Sequence, residues 1–160
     1  MTSIQVNSSD LAQAKRLLDP ARFSRLLRSG MEEALAYMKG LVQGKTPVDT
    51  GLLRGSIFTE IRGTMLDFHG VVAPGPAVKE YASVMELGRR PGARMPPVDA
   101  IVRWVIRKQI ASGGSARSVA FLIARSIGRK GIRGRHMFEE AAREGAATAV
   151  RIIENRFRKG

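Results

Sequence analysis

Apolar residues recur at Phe23, Leu27, Met31, Ala34, Met38 and Leu41, a spacing that predicts an amphipathic helix reaching about Val42. Asp19-Pro20 marks its start, an N-cap followed by a proline at the first helical position, where the missing N–H costs nothing. Gly30 and Gly40 lower its intrinsic propensity. A shorter helix or a flexible arm is expected over Asp10–Leu18. Further on the period changes to alternation. Ile57, Thr59 and Ile61 share one face, and Leu66, Phe68, Gly70 and Val72 share another, with Arg62-Gly63-Thr64 between them as turn material. This predicts an antiparallel hairpin. It ends at Ala73–Pro76, where proline cannot donate to a ladder.

From Pro96-Pro97 the pattern is helical again. Val98, Ile101, Val102, Val105 and Ile106 form one stripe, with Asp99 and Arg103 as an i,i+4 ion pair opposite it. Ser112–Ser115 breaks the helix, and a second one directs Val119, Leu122, Ile123 and Ile127 inward. The last helix starts near His136 and shows Ala141, Ala142, Gly145 and Ala149 on its contact face, small residues that permit close approach. The order of helix, strands and then helices predicts an α+β domain in which an N-terminal helix and C-terminal helices pack on an antiparallel hairpin. Between hairpin and helices, Pro74–Pro97 reads as an extended segment that finishes folding against a partner, with Leu87–Pro97 an exposed loop.

Composition narrows the classes. A length of 160 residues, 44% hydrophobic, suits a single domain over 1–160, with 1–18 as the arm or short helix. The absence of cysteine excludes disulfides, thiolate metal sites and a cysteine nucleophile. The N-terminal residues lack a basic region followed by an apolar run, and Val119–Ala124 is too short to span a bilayer. A soluble protein made in the cytoplasm, with no membrane role, is the expectation.

The net charge is +13, and it is unevenly placed. Leu87–Arg135 holds twelve basic residues against the single acid Asp99. Arg89, Arg90, Arg94, Arg103, Arg107, Arg125, Arg129, Lys130, Arg133 and Arg135 are the candidate basic contact surface. Such a block is either a solvated face or the mark of an acidic partner.

Thr46–Ile57, "TPVDTGLLRGSI", places Pro47, Asp49, Thr50, Gly51 and Leu53 between the long helix and the first strand. Proline biases Thr46 away from helix, Asp49 can bond its own turn, and Gly51 tolerates positive φ, so a helix-to-strand turn explains the local chemistry. Tyr81–Gly88, "YASVMELG", follows the hairpin with Tyr81, Glu86 and Gly88, and Gly134–Ala142, "GRHMFEEAA", opens the last helix. In this order the set resembles the head-tail joining proteins of tailed bacteriophages, also called neck, tail-completion or minor tail proteins. The resemblance runs from about Phe23 to the end. Where the family often has Pro-Phe and a later Pro-Ala, this chain has Met137-Phe138 and Glu140-Ala141.

The resemblance implies a non-enzymatic virion subunit with no cofactor, assembled in the host cytoplasm into a six-fold ring at the neck. Its implied partners are further copies of itself, a portal, head-completion or adaptor protein, and a tail tube or tail terminator protein, with transient non-specific contact to DNA in the channel. The motif positions Pro47, Asp49, Thr50, Gly51, Leu53, Tyr81, Glu86 and Gly88 are then structural. They shape the subunit and its loops.

Two other readings compete. Ile127–Arg133, "IGRKGIR", resembles the Gly-x-x-Gly loop with which KH domains grip a nucleic-acid backbone, Arg129 and Lys130 being the gripping pair. Such a domain weaves strands closely with those helices, and nothing after Gly131 reads as a strand. A helix C-terminus with a glycine stop also accounts for it. His136, Glu139 and Glu140 have the i, i+3, i+4 spacing of a metal site, but acids in a first helical turn also serve the helix dipole. No Ser-His-Asp set or Walker-type loop points to an enzyme.

Overall fold

The computed structural model describes residues 19–64 and 67–159. The expected arm over 1–18 and the strand position Leu66 lie outside them. The chain is mixed helix and sheet, and its described residues fall into two compact units, one within 19–82 and 136–159, the other 83–135.

The first unit is built on two long helices, α1 (Pro20–Lys45) and α6 (Met137–Lys159). The Asp19 carboxylate accepts from the Ala21 amide at 3.1 Å and Pro20 occupies the first turn, so the N-terminal signal works as the residues predict. The helices run antiparallel. Phe23 meets Phe157 with ring centroids 5.0 Å apart, and Thr46, at the other end, lies beside Met137. Close approach comes from small residues. A Cβ on Gly30 would stand 3.2 Å from the Ile153 Cα, and Ala141, Gly145 and Ala149 form the buried line of α6. Gly30 therefore trades helix propensity for an interhelical contact.

After α1 comes a short helix, α2 (Leu52–Ser56), then β1 (Phe58–Thr64) and β2 (Asp67–Ala73), paired antiparallel with Ile61 opposite Gly70. Arg62, Gly63 and Thr64, expected as turn material, belong instead to β1 and pair with His69, Phe68 and Asp67. Polarity suggested a turn there, but the outer face of the hairpin is polar, and the ladder accepts polar residues on it. Phe68, Ile61 and Val72 pack with Phe23, Leu27, Met31 and Met38 of α1. Leu35 sits over Gly70, where a Cβ would come within 2.8 Å of its Cδ2. The opposite face carries the Glu60–Arg62 and Asp67–His69 pairs.

The segment from Pro74 is not extended. A 3-10 turn at Pro76–Val78, with Val78 buried, leads into α3 (Lys79–Leu87), where Ala82 is buried.

The second unit contains β3 (Gly88–Arg89), α4 (Val98–Arg107), α5 (Gly113–Lys130) and β4 (Ile132–Arg133). Val105, Ala116 and Ala120 are fully enclosed between α4 and α5, flanked by Val98, Ile101, Val102, Trp104, Val119 and Ile123. Leu122 does not point inward: it is 61% exposed, because the side of α5 that meets α4 is made of alanines. Asp99 pairs with Arg117 of α5 at 3.0 Å instead of with Arg103. β3 and β4 pair antiparallel, so a strand does follow Gly131 and the stretch from Leu87 is not wholly loop.

Candidate functional site

The Thr46–Ile57 stretch is a junction. Thr46 is buried, donates its hydroxyl to the Val42 carbonyl at 2.7 Å and lies 3.5 Å from the Met137 sulfur, which ties the end of α1 to the start of α6. Half-buried Pro47 then forces an extended exit, and Asp49 is exposed. The expected simple turn is instead a turn plus one helical segment. Gly51 takes φ 79°, the Thr50 Oγ1 accepts from the Leu52 amide at 3.3 Å, and the Gly55 amide closes onto the Gly51 carbonyl at 2.8 Å. A left-handed glycine followed by a capped Leu52 amide starts a helix where a plain turn would have run on into strand.

Three bonds hold that segment in place. The Gln43 side-chain amide donates to the Arg54 carbonyl at 3.0 Å, the Ser56 hydroxyl to Leu53, and the Gly75 amide to the Ser56 carbonyl. Leu53 and Ile57 are driven inward, at 4% and 1% exposure, and Ile57 packs with Val42 and Ala141. Beside the junction, Lys45 reaches Glu144 at 2.6 Å and Glu140 at 3.9 Å. The hydrogen bond to Glu144 raises the lysine pKa against the opposing effect of burial. Glu140 is therefore aimed at Lys45, while the His136 imidazole lies 3.0 Å from Glu139, so the metal spacing read from the sequence does not converge on one point.

Tyr81–Gly88 is α3 and its stop. Tyr81 is half exposed, Glu86 half buried, and Gly88 takes φ 77°. A Cβ on Gly88 would fall 2.4 Å from the Ile132 carbonyl oxygen and 2.5 Å from the Gly134 amide. Only glycine allows β3 and β4 to cross that closely. The Arg135 amide donates to the Met85 carbonyl at 2.7 Å beside the crossing.

All ten residues of the predicted basic surface belong to the second unit, which counts twelve basic residues against Glu86 and Asp99. Arg94, Arg103, Arg107, Arg125, Arg129, Lys130, Arg133 and Arg135 are exposed, as is Arg90, and Arg89 is half buried with its guanidinium donating to the Arg94 carbonyl. The Gly-x-x-Gly stretch is not an open loop. Arg129 and Lys130 form the last turn of α5, and the Gly131 amide closes it on Ile127 at 2.8 Å. The Gly128 carbonyl accepts from Gly92, and a Cβ on Gly128 would touch the Met95 Cα at 3.4 Å. The approach that such a loop offers a nucleic-acid backbone is taken by the chain's own segment 92–95.

The outward face of α5 carries apolar residues that helical period alone does not single out. Phe121 and Leu122 are 46% and 61% exposed and border an open groove with Val98, Gly114, Arg117 and Ser118. The unbroken run Val119–Ala124 was the available signal: six apolar residues exceed one helical turn, so some must face away from α4. Among the described residues no helix is long and apolar enough to cross a membrane. No protein-family model matches the chain, and neither the curated proteins nor the solved structures give a match.

Proposed function

We propose that the chain is a structural virion protein, a subunit of a ring at the head-tail junction of a tailed phage that joins portal-side proteins to the tail. The observation that carries this reading is the junction at Thr46–Ile57. Its motif residues serve architecture: Thr46, Leu53 and Ile57 are buried, and Thr50 and Gly51 start α2. They hold α1, the hairpin and α6 in one register, which suits a subunit whose work is to present surfaces.

Two further features support assembly. Among the described residues β1 and β2 pair only with each other, leaving both hairpin edges for neighbouring chains. The charge is concentrated in a separate compact unit, which suits acidic neighbours and passing phosphates. Electron cryo-microscopy of particles carrying the protein tests the proposal. A closed ring at the neck, six-fold by the family resemblance, is the expected result, and a single copy or no copy there overturns it.

A further inference from the structure

Helix α5 is built the wrong way round for a helix that only packs against α4. Its fully buried positions are Ala116, Ala120 and Ala124, while the large apolar side chains of Phe121 and Leu122 face outward. A helix apolar on every side at mid-length has a second contact to satisfy, since solvated Phe and Leu forgo the burial that normally places them in a core. The groove beside them is lined by Val98 of α4 and by Gly114, Arg117 and Ser118.

The charge around this patch specifies what covers it. Arg117, Phe121 and Arg125 stand at i, i+4 and i+8, one row on the helix surface, so a guanidinium lies one turn to either side of the phenyl ring. Arg129 and Lys130 continue the basic surface, and α5 contains no acidic residue. Arg117 holds Asp99 at 3.0 Å, but both are more than 70% exposed, so the pair is weak and exchangeable. Guanidinium groups favour carboxylates through paired N–H donors.

We infer that the outward face of α5 docks a carboxylate-bearing helix of a partner protein, an apolar residue of which enters the groove beside Phe121 and Leu122 while its acids meet Arg117 and Arg125. Nucleic acid fits less well, because Leu122, the more exposed of the two, has no ring on which a base can stack. An anionic membrane fits less well because arginines interrupt the apolar row within one turn, whereas interfacial helices keep a continuous apolar face. A second copy's basic unit is repelled by charge of the same sign. The inference stands on the surface of α4 and α5 and does not depend on ring assembly.

The test uses the full chain and a fluorescein-labelled helical peptide with glutamates on one face and leucines at i, i+3 and i+4 beside them. Anisotropy at physiological salt should give micromolar binding. Phe121→Ser with Leu122→Ser should weaken it roughly tenfold or more, in line with loss of a central apolar anchor. Arg117→Gln with Arg125→Gln should weaken it and flatten its salt dependence, while the charge-matched Arg158→Gln, Lys159→Gln variant binds as the wild type. Single Phe121→Gln and Leu122→Gln variants, checked by circular dichroism, guard against misfolding. Failure of the peptide to bind, or binding indifferent to Phe121 and Leu122, overturns the inference. So does a duplex oligonucleotide, a phosphatidylserine vesicle or a second copy of the chain that binds tighter than the peptide and is lost in the Phe121/Leu122 variant.

Discussion

Gly145 of α6 lies so close to Met38 of α1 that a Cβ on it would fall 2.5 Å from the Met38 sulfur and 2.6 Å from the Leu41 Cδ1. Both neighbours are flexible side chains, so alanine is accommodated with some displacement, but a branched residue is not. Gly145→Val should cost about 3 kcal/mol, the upper range for overpacking a core. Gly40 of α1 is the contrast: nothing lies within 4 Å of its missing Cβ, and Gly40→Ala should stabilise by up to about 1 kcal/mol. Urea unfolding of both variants checks the opposite signs.

Thr46 carries the junction through one hydroxyl. Thr46→Val keeps the shape, removes the donor to the Val42 carbonyl and should destabilise by about 1–2 kcal/mol. Thr46→Ser keeps the hydroxyl and should lose less. Equal losses in thermal unfolding would mean that the methyl packing, not the bond, holds the site.

Gly88 faces backbone atoms that cannot turn aside. Gly88→Ala combines a left-handed φ with a Cβ 2.4 Å from the Ile132 carbonyl, so β3 should separate from β4. In limited trypsin digestion the wild type should be cut after exposed Arg94 before Arg89, which sits in β3. The Gly88→Ala variant should bring Arg89 cleavage up to the rate at Arg94.

Lys45 gains its partners on folding, and its pKa rises. A raised lysine pKa contributes stability that is fully present below the ordinary value of 10.5 and is lost as pH climbs through the folded value. Lys45→Met should therefore lower the melting temperature slightly at neutral pH. The gap to wild type should close in alkali above 10.5.

On the proposed neck role the basic unit should bind duplex DNA weakly and without sequence preference, because DNA has to slide through such a ring. Each neutralised phosphate adds about 0.9 to the slope of log affinity against log salt, so binding should largely vanish near physiological salt. Replacing Arg129 and Lys130 together by alanine should weaken it no more than replacing Arg103 and Arg107. A salt titration in which only the Arg129/Lys130 variant collapses would favour dedicated nucleic-acid recognition.

Local chemistry made much of the architecture legible. Asp19-Pro20 caps α1 and the spacing from Phe23 to Met38 selects its buried face, because cap and period act within a few residues whatever the rest of the chain does. The alternation around Ile61 and Phe68 marks the hairpin, and the small residues of α6 mark a helix that must approach another closely. The charge block was likewise visible as a count.

Tertiary structure decided what depends on a partner distant in sequence. Leu122 fits an inward stripe by period, yet it points out because α4 packs on the alanines of α5. Arg62–Thr64 is polar enough for a turn, yet β2 supplies a ladder that makes it strand. Gly88 and Ile132 are 44 positions apart, and neither hints at the other. A two-residue strand carries no period to detect, so only the folded chain, by bringing those backbones within reach, makes it one.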